Sequence, residues 1–185
     1  MVIPTTLSGL PVTSIGDGAC SGLTNLTGVA IADSVTNLGD SAFEFCTSLA
    51  TVTLGKGITT IKGGGAGGGL GMGTFYGCTS LTSVTIPDNV TNITDGVEIR
   101  PGIAVGAFAD CSALTNVIIG NSVVYIGAGT FANCGGVTQV TIPDSVITVG
   151  AFAFLSCGGL SDVKIGKSVT QLGLGRAMSS LAAPT

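Results

Sequence analysis

The six cysteines of this 185-residue chain have the greatest capacity for chemistry, since cysteines can form disulfides, bind a metal or act as nucleophiles. Cys111, Cys134 and Cys157 are 23 residues apart, and the steps from Cys46 to Cys78 and from Cys78 to Cys111 exceed that period by nine and ten residues. This spacing indicates one column in a repeating structure. Parallel side chains in such a column do not easily reach the dihedral angle of a disulfide.

A metal site is not indicated by these cysteines, because the chain has no histidine and no Cys-x-x-Cys pair. We therefore predict a ladder of buried free thiols that act as small hydrophobic residues. Burial would raise their pKa and make them poor nucleophiles. No cofactor is predicted.

A glycine-rich insertion at about residues 63–73 interrupts the period. A phosphate-binding loop would need a following Lys-Ser/Thr pair, but Thr74-Phe75-Tyr76 follows here. The insertion is predicted to be a projecting loop, either flexible or in close contact with a partner backbone.

A second insertion, at about residues 95–105, enters at the same point of the next unit, so both loops should leave from one edge. It holds the densest polar cluster outside the repeat, but nothing in the sequence fixes the geometry of an acid–base pair of carboxylates there. Insertions in solenoids often map to the binding face. The predicted loop binding residues are Gly67, Leu70, Met72, Asp95, Glu98 and Arg100.

The elements that position these residues follow the same 23-residue period. Apolar residues recur at fixed offsets from each of the five cysteines, and a phenylalanine stands three residues before each. Residues 81–86 end in alternation rich in β-branched side chains, which predicts a short strand, and residues 90–93 form a second extended piece. The segment from phenylalanine to cysteine suits a single helical or 3-10 turn. In the first unit, Cys20 takes the phenylalanine place and Leu23 the cysteine place.

One such unit cannot bury its apolar edge alone, so stacked units must share a core. The predicted fold is a mainly-β, right-handed repeat solenoid with short parallel strands, forming a single domain over residues 1–185. The turn after the first strand alternates between forms such as Ile142-Pro143 and Ile165-Gly166, a 46-residue double period. We interpret that alternation as a trace of duplication and as turn geometry rather than chemistry.

Outward positions of the predicted strands form columns of hydroxyl and amide side chains. Such a lattice can bind carbohydrate or protein, or simply reflect β-propensity on a solvated strand. Ice binding would want Thr-x-Thr in every coil, and only Thr51-Val52-Thr53 shows it fully. The predicted strand-face binding residues are Thr51, Thr53, Thr82, Thr85, Asn116, Gln139 and Thr141.

Composition narrows the function classes. Charged residues are 9% of the chain, with ten acids, six bases and no histidine, whereas about a quarter is usual. Six scattered bases cannot form the stripe that nucleic-acid phosphates require. No apolar run predicts a membrane span, and the first residues show no signal peptide. Without histidine or convergent carboxylates, an enzyme is not predicted.

The pattern Leu-x-x-Val-x-Ile-x-x-Asn at Leu81 to Asn89 matches the leucine-rich-repeat signature. Residues 86–93 and 42–49 resemble the BspA-like leucine-rich-repeat family, and residues 3–16 resemble its usual N-terminal segment. This resemblance implies a leucine-rich-repeat solenoid. It also favours a cell-surface or secreted protein, since family members resemble surface or secreted proteins of bacteria and protists, often adhesins.

Two functional classes stay open. The chain is predicted to be a non-catalytic interaction module that binds protein or glycan through the strand face and the two loops, or a structural subunit of a larger multi-protein assembly. The last coil has Ala177 in the phenylalanine place, Ser180 in the cysteine place and no charged cap. Because an uncovered coil exposes core and strand edge, we expect at least one end, the C-terminal one above all, to contact another chain or a further segment.

Overall fold

Short strands dominate the fold in a computed structural model that describes residues 1–65, 71–100 and 103–173. In chain order the strands are β1 Thr6–Leu7, β2 Leu10–Pro11, β3 Ser14–Ile15, β4 Gly28–Ala30, β5 Asn37–Leu38, β6 Thr51–Thr53, β7 Thr60–Ile61, β8 Ser83–Ile86, β9 Asn92–Ile93, β10 Val97–Arg100, β11 Ile103–Val105, β12 Asn116–Ile119, β13 Tyr125–Ile126, β14 Gln139–Ile142, β15 Thr148–Val149, β16 Asp162–Ile165 and β17 Gln171–Leu172. Exposed and buried residues alternate in β8, β12 and β14, as the sequence pattern predicts.

Two rows of parallel strands run along the stack of coils. The strand face consists of the pairs β4–β6, β8–β12 and β14–β16, with β6 beside β8 and β12 beside β14. The second row contains the pair β3–β5 and the five-stranded sheet β7-β9-β13-β15-β17. Register partners are equivalent residues of successive units, such as Val84 with Val117 and Val140 with Val163. The predicted mainly-β repeat solenoid with short parallel strands is confirmed.

A ladder of five stacked phenylalanine rings fills the core at the turn side of five successive coils. Neighbouring ring centroids are 5.3 to 5.5 Å apart, and the interplanar angles run from 4° to 16°. All five side chains are buried. The rings belong to Phe43, Phe75, Phe108, Phe131 and Phe154.

The cysteine column lies beside the phenylalanine ladder, and all six cysteines are free thiols. Each column thiol donates a hydrogen bond to a carbonyl of the preceding coil, as Cys134 does to Phe108 at 3.2 Å. The Cys46 thiol donates to Cys20 at 3.1 Å, so Cys20 occupies the phenylalanine place of the first unit. Burial raises the pKa of the Cys157 thiol to about 11. These thiols therefore contribute packing rather than thiolate chemistry.

The segment from phenylalanine to cysteine consists of hydrogen-bonded turns, and the described residues contain no helix. The N–H of Cys46 bonds three residues back to Phe43 at 3.2 Å, whereas the N–H of Phe45 bonds to Tyr76 of the next coil at 2.8 Å. N–H groups therefore alternate between bonds within the turn and bonds between coils. The turn uses the bonds of a 3-10 helix, but every second N–H is diverted, so no continuous helix forms.

The alternation of proline and glycine at the turn pairs successive coils. A side chain at Gly120 would lie 2.7 Å from the Ile86 carbonyl oxygen and 2.8 Å from the Pro87 carbonyl carbon, so the backbone of the coil below requires glycine here. The N–H of Asn121 then donates to Asp88 Oδ1 at 2.7 Å. Turn geometry therefore accounts for the glycine of the double period.

In the second insertion, β10 and β11 pair in antiparallel orientation. No helix among the described residues is long and apolar enough to cross a membrane. The predicted loop residues Gly67 and Leu70 lie outside the described residues. So does the coil end with Ala177 and Ser180, on which the expected terminal contact rested.

Candidate binding surfaces

The strand face presents all seven predicted binding residues to solvent. Six of them project from one side of the parallel strands, where neighbours such as Val84, Val117 and Val140 point into the core, and Thr82 immediately precedes β8. Some hydroxyl groups of this face already take part in hydrogen bonds within the solenoid, since Thr82 Oγ1 donates to the Ala50 carbonyl at 3.4 Å. Its proton is therefore directed along the stack, and the hydroxyl oxygen retains its capacity to accept a hydrogen bond.

A shallow depression of about 530 Å³ lies on the C-terminal half of this face. It brings together the predicted residues Asn116, Gln139 and Thr141. Further residues that we did not select line it as well, among them Ile118, Asn121 and Lys164. The depression thus combines amide and hydroxyl groups with one cation and with an exposed apolar side chain, because Ile118 is 50% exposed.

The two loops lie side by side on another part of the coil, after the strands of the second row. A side chain at Gly64 would lie 3.0 Å from Val97 Cγ2, and a second depression of about 420 Å³ is lined by residues of both loops. The strand face precedes the second row in each coil and the loops follow it. The two predicted sets of binding residues therefore occupy different parts of the coil.

Asp95 and Met72 of the predicted loop residues are tied to the solenoid. Asp95 Oδ1 accepts bonds from the Tyr125 hydroxyl at 2.6 Å and from the Ala128 N–H at 2.8 Å. Burial and Asp95 raise the pKa of Tyr125 to about 12. Met72 N–H donates to Ser41 Oγ at 2.8 Å, and its half-buried side chain packs on a small apolar cluster. These two residues anchor the loops.

Glu98 is exposed on β10, and Arg100 ends that strand. Within the described part of the chain, no group of histidine, cysteine, aspartate or glutamate residues is placed to hold a metal ion.

An aromatic side chain on the outside of the turn side was not selected from the sequence. Phe45 is 48% exposed, although it stands next to the buried column. Its backbone has a positive φ of 54°, a conformation that bulky residues rarely adopt. The equivalent places of the other coils hold Gly, Asp, Asn or Ser, so alignment of the units alone would have revealed the exception.

A family model describes this repeat. Residues 6–65, 68–97 and 102–177 match the BspA type leucine rich repeat region in six copies. The match covers most of the chain. No curated protein matches the sequence significantly.

Solved structures of bacterial leucine-rich repeat proteins share the fold. A leucine-rich repeat protein from Bacteroides ovatus is 25% identical over 93% of this chain and 47% of its own, with a TM-score of 0.60. A leucine rich cell surface protein from Faecalibacterium prausnitzii is 30% identical over 91% of this chain and 47% of its own, with a TM-score of 0.53. The pneumococcal vaccine antigen PcpA, at 19% identity, matches over 90% of this chain and 40% of its own with a TM-score of 0.67, which shows the fold alone. The chain spans about half the length of these proteins or less.

Proposed function

The chain belongs to the BspA-type leucine-rich repeat family, and we propose that it is a non-catalytic interaction module that binds a protein or glycan partner through its strand face and loops. Leucine-rich repeat families are generally protein-interaction modules and generally not enzymes. A surface or secreted location is part of the proposal, because one relative in the fold comparison is a cell surface protein.

The depression on the strand face is the observation that carries this proposal. Its polar groups on β12 and β14 are carried by parallel strands whose inner residues are buried, so the backbone that positions them is formed before a partner arrives. Ile118 offers an apolar contact surrounded by the polar groups of Asn116, Gln139 and Thr141. An apolar centre with a polar rim is the usual arrangement of a protein interface.

A pull-down followed by mass spectrometry tests the proposal, with the chain as bait in an extract of its own organism. The strand-face variant carries Asn116→Ala, Gln139→Ala and Thr141→Ala together. We expect it to lose partners that the wild-type chain retains, without loss of thermal stability, because all three side chains are exposed. Equal recovery of every partner by this variant would refute the strand-face assignment.

A loop variant gives the matched control. Removal of residues 64–72 deletes the nine residues by which this unit exceeds the 23-residue period. The flanks of the loop already meet, since Thr74 N–H donates to the Lys62 carbonyl at 3.0 Å. The deletion should therefore leave the solenoid folded. Partners that depend on the loop will be lost here and kept by the strand-face variant.

A scaffold subunit within a larger assembly is the alternative proposal. It is favoured by the small share of charged residues, 9%, and by exposed apolar side chains such as Ile118 and Val124. Light scattering on the isolated chain distinguishes the two functions. A free module should be a monodisperse monomer, whereas an assembly subunit should aggregate without its partners.

A further inference from the structure

One row of positions on the outside of the turn side has a left-handed backbone in each coil that the structure describes there, from Gly22 to Ser156. The residues in this row are Gly22, Phe45, Gly77, Asp110, Asn133 and Ser156, with φ between 54° and 70°. Glycine, aspartate, asparagine and serine are ordinary choices for such a backbone. Phe45 is the one bulky residue in the row, and it is 48% exposed. Neither the core nor the backbone therefore explains this phenylalanine.

The Phe45 ring is held in one position by its two neighbours. A side chain at Gly77 would lie 2.6 Å from Phe45 Cδ1 and 2.9 Å from Cε1, so the ring occupies the space that the missing Gly77 side chain leaves. The Tyr76 ring contacts it edge-on, with the centroids 5.3 Å apart and the planes at 63°. Phe45 therefore leans along the row towards Asp110 and presents a fixed apolar surface to solvent.

A polar network continues the row where the aromatic surface ends. Asn133 Nδ2 donates to Asp110 Oδ1 at 2.6 Å, and the Tyr76 hydroxyl donates to the same carboxylate. Burial, followed by this bond, raises the pKa of Tyr76 to about 12. The carboxylate is thus oriented by two donors and keeps acceptor sites, while the amide of Asn133 keeps a second N–H and its carbonyl oxygen.

We propose that Phe45, Tyr76, Asp110 and Asn133 form a binding site for a neutral oligosaccharide on the outside of the turn side. The apolar C–H face of a sugar ring packs on Phe45, and its hydroxyls bond to Asp110 and Asn133. Sugar hydroxyls both donate and accept, as this row does, whereas a cationic side chain only donates and would leave the second N–H of the Asn133 amide without an acceptor.

The length of the row requires more than one sugar. Phe45 and Asn133 are three coils apart, which is roughly 14 Å at ~4.8 Å for each strand spacing. An oligosaccharide lying along the solenoid axis spans that distance. This site is separate from the strand face, so a failure of either proposal leaves the other unaffected.

Saturation-transfer NMR and calorimetry on the whole chain test the site, with cellotetraose, maltotetraose and chitotetraose as probes. The test variant is Phe45→Asn, because Asn133 shows that asparagine fits the same place in a neighbouring coil. Asp110→Asn removes the carboxylate at constant size. Ile147→Thr is the matched control, since Ile147 is an equally exposed apolar residue at 46%, and threonine fills its place in several other coils.

We expect one of these sugars to bind the wild-type chain and the control alike. Phe45→Asn should weaken that binding by roughly tenfold or more, because it removes the stacking surface. Its melting temperature should be unchanged or higher, because asparagine tolerates the left-handed backbone better than phenylalanine. Asp110→Asn should also weaken binding.

Three results would overturn the site. The first is that none of the three sugars binds at millimolar concentration. The second is that Phe45→Asn binds as tightly as the wild-type chain, or that binding is lost only in the strand-face variant. The third is that hexa-arginine binds in place of the sugars, in a salt-sensitive manner that Phe45→Asn abolishes, which would make the row a cation site.

Discussion

Replacement of Phe108 tests whether ring stacking, beyond burial, holds the coils together. Phe108 is fully buried at the middle of the ladder, with Phe75 on one side at 5.3 Å and Phe131 on the other at 5.5 Å. The planes are inclined by 5° and 8°, which is a stacked arrangement of the kind that contributes beyond area burial. Phe108→Leu keeps an apolar side chain in the core but removes both ring contacts.

The expected magnitudes follow from these contacts. Each ring pair contributes about 0.5–1.5 kcal/mol, so Phe108→Leu should lower the free energy of unfolding by about 1–3 kcal/mol. Phe108→Ala also leaves a cavity and should cost about 3–5 kcal/mol. Among the described residues, Phe154 stacks on one ring, that of Phe131. Phe154→Leu should therefore cost about 0.5–1.5 kcal/mol.

Urea unfolding followed by circular dichroism measures these differences. The midpoint should fall in the order of wild type, Phe154→Leu, Phe108→Leu and Phe108→Ala, with an unchanged dependence on urea. If Phe108→Leu were as stable as the wild-type chain, the rings would act only as hydrophobic volume. If Phe154→Leu lowered the free energy of unfolding as much as Phe108→Leu, the number of stacked neighbours would not determine that loss.

Three further predictions concern the core and the turns. Cys134→Asp should prevent cooperative folding, because it buries a carboxylate in a column with no cation to pair it; a stable, cooperatively unfolding variant would contradict the buried ladder. The thiol contribution to the free energy of unfolding should be constant below the ordinary thiol pKa of 9.0 and fall as the pH rises towards the raised pKa of about 11 at Cys157. The reason is that the thiol of the unfolded state loses its proton at a lower pH than the buried thiol. Urea midpoints measured between about pH 8 and pH 10 should show this fall, and Cys157→Ala should reduce it. Gly120→Ala should cost about 1–3 kcal/mol through its clash with the coil below, whereas Gly135→Ala, where a side chain would meet nothing within 4 Å, should leave the midpoint unchanged.

Much of this fold could be predicted because the inward positions obey one period. The cysteine, phenylalanine and strand positions of each unit are forced by the shared core, so alternation along residues 81–86 gave β8 to within a few residues. Even the unusual first unit was assigned correctly, and the thiol bond from Cys46 to Cys20 confirms it.

The turn side and the surfaces could not be predicted to the same depth, because contacts between coils decide them. Whether the Phe45 N–H bonds within its turn or to Tyr76 of the next coil depends on how the coils stack, and this choice excludes a helix. The depression on the strand face depends on the side chains of Asn116, Gln139 and Lys164 in three successive coils. No period in the sequence encodes that shape.

The repeat shows which residues are constrained by folding and which are free to be selected for function. Inward residues are fixed by packing, and glycines such as Gly120 are fixed by the backbone of the coil below. The left-handed row is also constrained, since its backbone favours small and polar residues. A residue that breaks such a local rule without a gain in the core is expected at functional sites. Phe45 breaks the rule while remaining half exposed, and its neighbours fix its ring in place. For that reason the row of Phe45, rather than the more regular threonine columns, is a surface where the sequence departs from what folding alone requires.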